Sequence, residues 1–251
     1  MDIREKLMEA ITPHNVFNIS LFGLTIPVSD TVIVMWIVMV FLIIFAFVFT
    51  RKMKLIPEGK QNVTEIFVGF INSFAENNIG HHWRVFAPYL GTILLFLVFS
   101  NMMSLFNVIP SGEQLYSLTH IEFFKHFPRI EIKPPTRDIN VTVAMALMSM
   151  AVVVLGTIRV KKFSGWLKTF TQPMLAFAPF KVLDYFIRPT SLSLRLFGNI
   201  LGAYIVMELI YFSLPPILPA VLSIYFDLFD ALLQAYVFVF LTSFYIAESV
   251  E

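Results

Sequence analysis

Apolar residues in this chain do not alternate with polar ones. They come in blocks. The first block, residues 31–50, reads TVIVMWIVMVFLIIFAFVFT and carries no charge. Twenty helical residues rise about 30 Å, the thickness of bilayer hydrocarbon. The block ends at Arg51-Lys52-Met53-Lys54. Residues 1–30 ahead of it form a polar lead-in with turn residues Pro13, Asn15, Asn18, Gly23 and Pro27. Residues 64–83 follow another rhythm. Ile66, Phe67, Phe70, Ile71 and Phe74 recur at helical spacing opposite Glu65, Asn72 and Glu76, which predicts an amphipathic helix lying at the membrane interface. Residues 86–108 form a second transmembrane helix, interrupted by Ser100-Asn101, and 139–159 a third, ended by Arg159, Lys161 and Lys162. Between them 111–138 read as a polar loop with Pro134-Pro135.

The last third breaks this simple pattern. Residues 172–212 are mostly apolar but carry Lys181, Asp184, Arg188, Arg195 and Glu208. After Pro215-Pro216 a second stretch, 217–247, carries Asp227, Asp230 and Gln234. As straight helices these measure roughly 60 and 50 Å, too long to stand upright in a ~30 Å layer. They either break, at Pro179 and Pro189, or lie strongly tilted as a hairpin. The expected fold is all-α, a single polytopic membrane domain over 1–251.

Composition agrees with lipid as the main solvent: 57% of the 251 residues are hydrophobic and 14% charged, where soluble chains sit near 45–50% and ~25%. With 18 basic against 17 acidic residues, no basic excess points to nucleic acid. The absence of cysteine removes disulfides, thiolate metal sites and a Cys nucleophile. His81-His82 stand alone, so no metal site is expected, and no Gly-rich phosphate loop is present, so no nucleotide or other cofactor is expected. Asp2, Arg4, Glu5, Lys6 and Glu9 give the start of the chain mixed charge, unlike a signal peptide. Residues 51–60 hold four Lys/Arg with one Glu, and 159–168 hold four with no acid, while 111–138 hold four of each sign. By the positive-inside rule, 51–60 and 159–168 are cytoplasmic, the N-terminus is outside, and a hairpin starting inside returns the C-terminus to the cytoplasm.

The charges inside apolar stretches carry the candidate chemistry, because each costs about 2.5–3.5 kcal/mol on insertion scales. Lys181 and Arg188 lie near prolines, where they can snorkel to the interface. Arg195 has no such exit. It lies in SLSLRLFGNILGAYIVM, with Ser191 and Asn199 one turn to either side and Gly198 allowing close approach of another helix. A guanidinium stays charged in proteins and cannot relay protons, so Arg195 is a fixed cation: it attracts a carboxylate and repels cations, or it is paired for packing. Asp184 is 11 residues back and Glu208 is 13 ahead, about 140° round the helix and ~20 Å along it. Its natural partner is therefore not local. Glu208, Asp227 and Asp230 can titrate. Asp227 and Asp230 share one helical face with Gln234 beyond them, and Tyr204 and Glu208 are also one turn apart. Acids lined up with Gln and Tyr make a proton or cation path, or they pair with basic residues.

The segment RPTSLSLRLFGN (188–199) resembles the hallmark of subunit a of the F-type ATP synthase. FAPYLGTILLFLVFSN (86–101), PPTRDINVT (134–142) and LLQAYVFVFLTSFYIA (232–247) are similar to further family segments, in the same order. The resemblance implies an ion-translocating stator with no active site of its own. Arg195 would face the carboxylate of the c-ring between two offset half-channels. Asn199 and Gln234 would flank it, Glu208, Asp227 and Asp230 would line the outer half-channel with Tyr204 beside them, and Asp184 would lie near the cytoplasmic exit. The long stretches would be tilted helices hugging the ring. Partners would be the c-ring, the b subunits of the peripheral stalk, membrane lipid, and H+ or Na+ as the translocated ion. The wording SLSLRLFGN resembles bacterial members, which implies the plasma membrane. The alternative is an independent secondary transporter or channel that binds an anionic substrate at Arg195.

Overall fold

A computed structural model describes residues 15–21, 24–51, 53–103, 134–171, 178–213, 222 and 225–250. The chain forms two compact units. One comprises Met1–Val38, Leu97–Asp138 and Phe197–Gln234; the other comprises Met39–Phe96, Ile139–Leu196 and Ala235–Glu251.

In the first unit, the expected lead-in contains an antiparallel hairpin of β1 (Asn15–Leu21) and β2 (Leu24–Ser29), with Ile19 opposite Ile26 and Ser20 opposite Thr25. The segment is rich in turn residues, yet its Val, Ile and Phe residues suit a pleated ribbon. Helix α1 (Asp30–Thr50) follows directly. Thr31 N–H donates to Asp30 Oδ1 at 2.9 Å, and the Thr31 and Ser29 hydroxyls lie 2.7 Å apart. Only Thr31 and Val38 of α1 are buried. Water would not tolerate an apolar cylinder so exposed; hydrocarbon does.

Helix α2 (Lys60–Ile79) starts four residues earlier than expected, after Gly59, and stops at Gly80. Both glycines have positive φ, +57° and +71°, a conformation that side chains rarely adopt. Within the second unit, α2 buries Ile71, Ala75 and Ile79 in one stripe. Phe74 meets the rings of Tyr236 and Phe240 at 5.9 and 6.5 Å. A 3-10 turn, Gly80–His82, leads into α3 (Trp83–Met102).

Helix α4 (Ile139–Thr171) passes the basic residues expected to end it at 159. It breaks at Lys162, whose backbone stands at φ 62°, ψ 164°. Phe86 of α3 fills the space over Gly156 of α4. A Cβ at 156 would overlap the edge of that ring, which is itself buried and cannot swing away. Gly156→Ala is expected to cost ~1–3 kcal/mol through overpacking. Heat-induced loss of this chain from membranes should then come at a lower temperature, and Phe86→Leu in the same chain should reverse the change. An unchanged transition in Gly156→Ala would mean that the contact is slack.

Helix α5 (Ala178–Ser213) runs unbroken through Pro189, while Pro179 stands at its second position, where a missing N–H costs nothing. The alternative of a break at Pro189 is thereby removed, while Pro179 lies where the described helix begins. Thirty-six residues make α5 about 54 Å long. The returning limb, expected as one helix over 217–247, instead enters α6 (Ala231–Val250) through a π turn, Tyr225–Asp230.

Candidate ion-path residues

Among the described residues, five helical segments are long and apolar enough to cross a membrane: Asp30–Thr50, Lys60–Met102, Ile139–Leu167, Ala178–Met207 and Leu228–Val250. The polar side chains that interrupt them are therefore the features requiring explanation.

Arg195 is exposed on α5, next to exposed Leu194. Among the described residues it has no hydrogen-bond or ion-pair partner. Further along the same helix, none of the described residues stands within 4 Å of where a Cβ would lie at Gly198 or Gly202. The helix thus carries a stripe of small residues open to a closely packed neighbour.

Within the first unit, Asn199 of α5 donates from Nδ2 to Oε1 of Gln234 at 2.7 Å. Gln234 is 1% exposed, whereas Asn199 is exposed. Sequence spacing could pair these residues only through the family resemblance, since 35 residues separate them. Tyr204, further along α5, lies under the guanidinium of Arg137, whose carbon is 3.7 Å from the ring centroid.

Arg137 falls in the segment expected as a loop, 111–138. It is only 5% exposed, and Pro135, Thr136 and Asp138 around it are buried too. The turn Pro135–Arg137 satisfies itself, with Arg137 N–H on the Pro134 carbonyl at 3.0 Å and Asp138 N–H on that of Pro135 at 3.1 Å. Its side chains reach three helices of the same unit. Asp138 Oδ2 accepts from the Thr31 hydroxyl of α1 at 3.0 Å. Thr136 donates to Asn101 Oδ1 of α3 at 2.5 Å, and Arg137 covers Tyr204 of α5. A cation stacked on an aromatic face out of water is worth about 2 kcal/mol or more. The signal for it was present: a Pro-Pro pair followed by Arg-Asp directly against an apolar span.

The backbone that carries Asp227 and Asp230 winds as a π turn in place of the expected α-helix. Asp230 is half-buried at the end of that turn. The side chains of Asp227 and Glu208 lie outside the described residues. In the second unit, Asp184 is exposed, with Oδ2 3.6 Å from Arg188 Nη2. Arg188 does not snorkel freely: its Nη2 also donates to Glu248 Oε1 at 2.7 Å. Among the described residues no group of three or more His, Cys, Asp or Glu is placed to hold a metal ion.

Five membrane-length helical segments, with a cation that has no partner among the described residues on one of them, define a multi-pass, all-α membrane protein. The family model of the ATP synthase A chain matches residues 32–247. ATP synthase subunit a of Gloeobacter violaceus is 38% identical over 224 residues, covering 89% of this chain and 84% of that protein. That of Moorella thermoacetica is 32% identical over 244 residues, covering 97% and 99%. The sodium ion specific subunit a of Propionigenium modestum is 33% identical over 226 residues, covering 89% and 75%. The chain belongs to the ATP synthase subunit a family. It is accordingly a membrane subunit of the ATP synthase that serves ion translocation, and not one of the catalytic subunits.

Proposed function

We propose that this chain is the stator that couples ion flow to rotation, with Arg195 facing the ionisable carboxylate carried by each subunit of a c-ring. The observation that carries the reading is the exposure of Arg195 on a membrane-length helix without a partner among the described residues. A permanent cation there draws a passing carboxylate into its ionised form and repels any cation trying to pass directly between two offset half-channels. Asn199 and Gln234 act as its polar neighbours. Glu208, Asp227, Asp230 and Tyr204 belong to the outer half-channel, and Asp184 to the cytoplasmic exit. The length of α5 supports a strongly tilted course around the ring, since about 54 Å of helix exceeds a ~30 Å layer.

The further partners are the b subunits of the peripheral stalk and the lipid around α1. The ion is H+ or Na+; one relative is named for sodium and the other two for no ion. The basic stretches support an N-terminus outside and a C-terminus in the cytoplasm of a bacterial plasma membrane.

Cysteine chemistry tests the facing surface directly, because the chain has no cysteine of its own. Leu194→Cys, exposed, is expected to form a disulfide with a cysteine placed beside the carboxylate on the c subunit's outer helix. Leu196→Cys, at a buried position, is not. Crosslinking at 196 but not at 194 would turn α5 the wrong way round and end the assignment.

A further inference from the structure

Arg188 and Arg195 lie seven residues apart on α5, two helical turns along one face, and both belong to the second unit. Between them stands Pro189. Its ring removes the N–H that would bond the Tyr185 carbonyl and crowds that carbonyl, so α5 is most compliant there. A small cavity lined by Ser149, Arg188, Pro189, Leu192, Thr242 and Tyr245 lies against the same stretch, so packing around the proline is incomplete.

Arg188 spans this weak point. It is 17% exposed, and its Nη2 holds Glu248 Oε1 of α6 at 2.7 Å and Asp184 Oδ2 at 3.6 Å. Its guanidinium carbon is 5.0 Å from the ring centroid of Tyr245 on α6. One turn beyond the proline, the Ser193 hydroxyl meets that of Thr142 on α4 at 3.2 Å, and Leu192 and Leu196 are buried. A soft joint is thus held on one side by an ion pair to α6 and on the other by a hydroxyl pair to α4.

We infer that Arg188 is a positioning residue: through Glu248 it restrains bending of α5 at Pro189 and so fixes the height of Arg195. This rests on the role proposed for Arg195 and adds to it. Arg188 does not contact the translocated ion, and its effect is transmitted through the helix.

The test uses the assembled complex in inverted membrane vesicles, following ATP-driven ion uptake and passive ion leak, with assembly checked by co-purification. Arg188→Gln is expected to lower uptake roughly tenfold and to raise the leak, as a misplacement of about an ångström can. Glu248→Gln should do the same, and the double variant should be no worse than either single one. Arg188→Lys, which still reaches Glu248, should keep most of the uptake. Pro189→Ala restores the missing helical hydrogen bond, so it should leave an otherwise unaltered chain near normal and rescue Arg188→Gln. Should Arg188→Gln fail to assemble, Glu248→Gln, altering a half-exposed side chain, carries the same test.

Normal uptake and leak in assembled Arg188→Gln or Glu248→Gln would overturn the inference, and so would a loss that Pro189→Ala does not relieve. If Arg195→Ala is inactive while these variants pump normally, the positioning role falls and the stator reading stands. If Arg195→Ala itself pumps normally, the stator reading falls with it.

Discussion

Arg195→Ala is expected to abolish ATP-driven ion uptake, by about a hundredfold or more, while the complex still assembles. The size of the effect follows from electrostatics in a water-poor site, where removal of one preorganised charge or donor costs ~10²–10³ in rate. Assembly should survive because the guanidinium is exposed and has no partner among the described residues, so its loss strands no buried group. That combination is unusual for a charge in an apolar helix. Such charges are normally paired within their own chain, and removing one of a buried pair is strongly destabilising. Arg195→Lys keeps the sign but replaces a broad planar fork with a compact, strongly hydrated ammonium, so uptake should remain severely reduced. A passive leak should accompany the alanine variant if the cation also blocks direct passage between half-channels. Normal pumping by an assembled Arg195→Ala complex would make the residue a packing element and remove the centre of the functional reading.

Much of this was legible in the order of residues because a bilayer sets a severe rule. Twenty uncharged residues such as 31–50 have few fates other than a spanning helix, and the same rule singles out Arg195 as costly. What was not legible depended on backbone winding or on long-range closure. Proline at 189 reads as a break, but α5 has enough packed surface at Leu192 and Leu196 to carry the missing bond. The segment YFDLFD reads as α-helix, and its π winding has no clear signature in the sequence. Arg137 reads as a loop charge because it closes a segment, 111–138, that carries eight charges and Pro134-Pro135. Its burial becomes visible only when α1, α3 and α5 close around the Pro134–Asp138 turn. Lys162 shows the converse case: basic residues were expected to end α4 near 159, and the chain breaks three residues later, at a strained backbone position.

The Asn199–Gln234 pair offers a way to separate packing from function. The two amides are equal in chemistry but unequal in burial: Gln234 is enclosed and Asn199 is exposed. Asn199→Leu should therefore be the more destabilising single change, because it leaves a buried carboxamide without its 2.7 Å partner, at a cost of ~1–3 kcal/mol. Gln234→Leu strands only a group with access to its surroundings and should cost less. Replacing both by leucine removes the unpaired group altogether and should return the thermal stability of the complex most of the way. Ion uptake should not follow stability. If the pair helps Arg195 exchange a carboxylate, the stable double variant remains as slow as the worse single one, because a dry apolar contact cannot supply a donor in either position. Uptake that recovers along with stability would show that the amides merely join α5 to α6, and that Arg195 works without a polar neighbour from the returning helix.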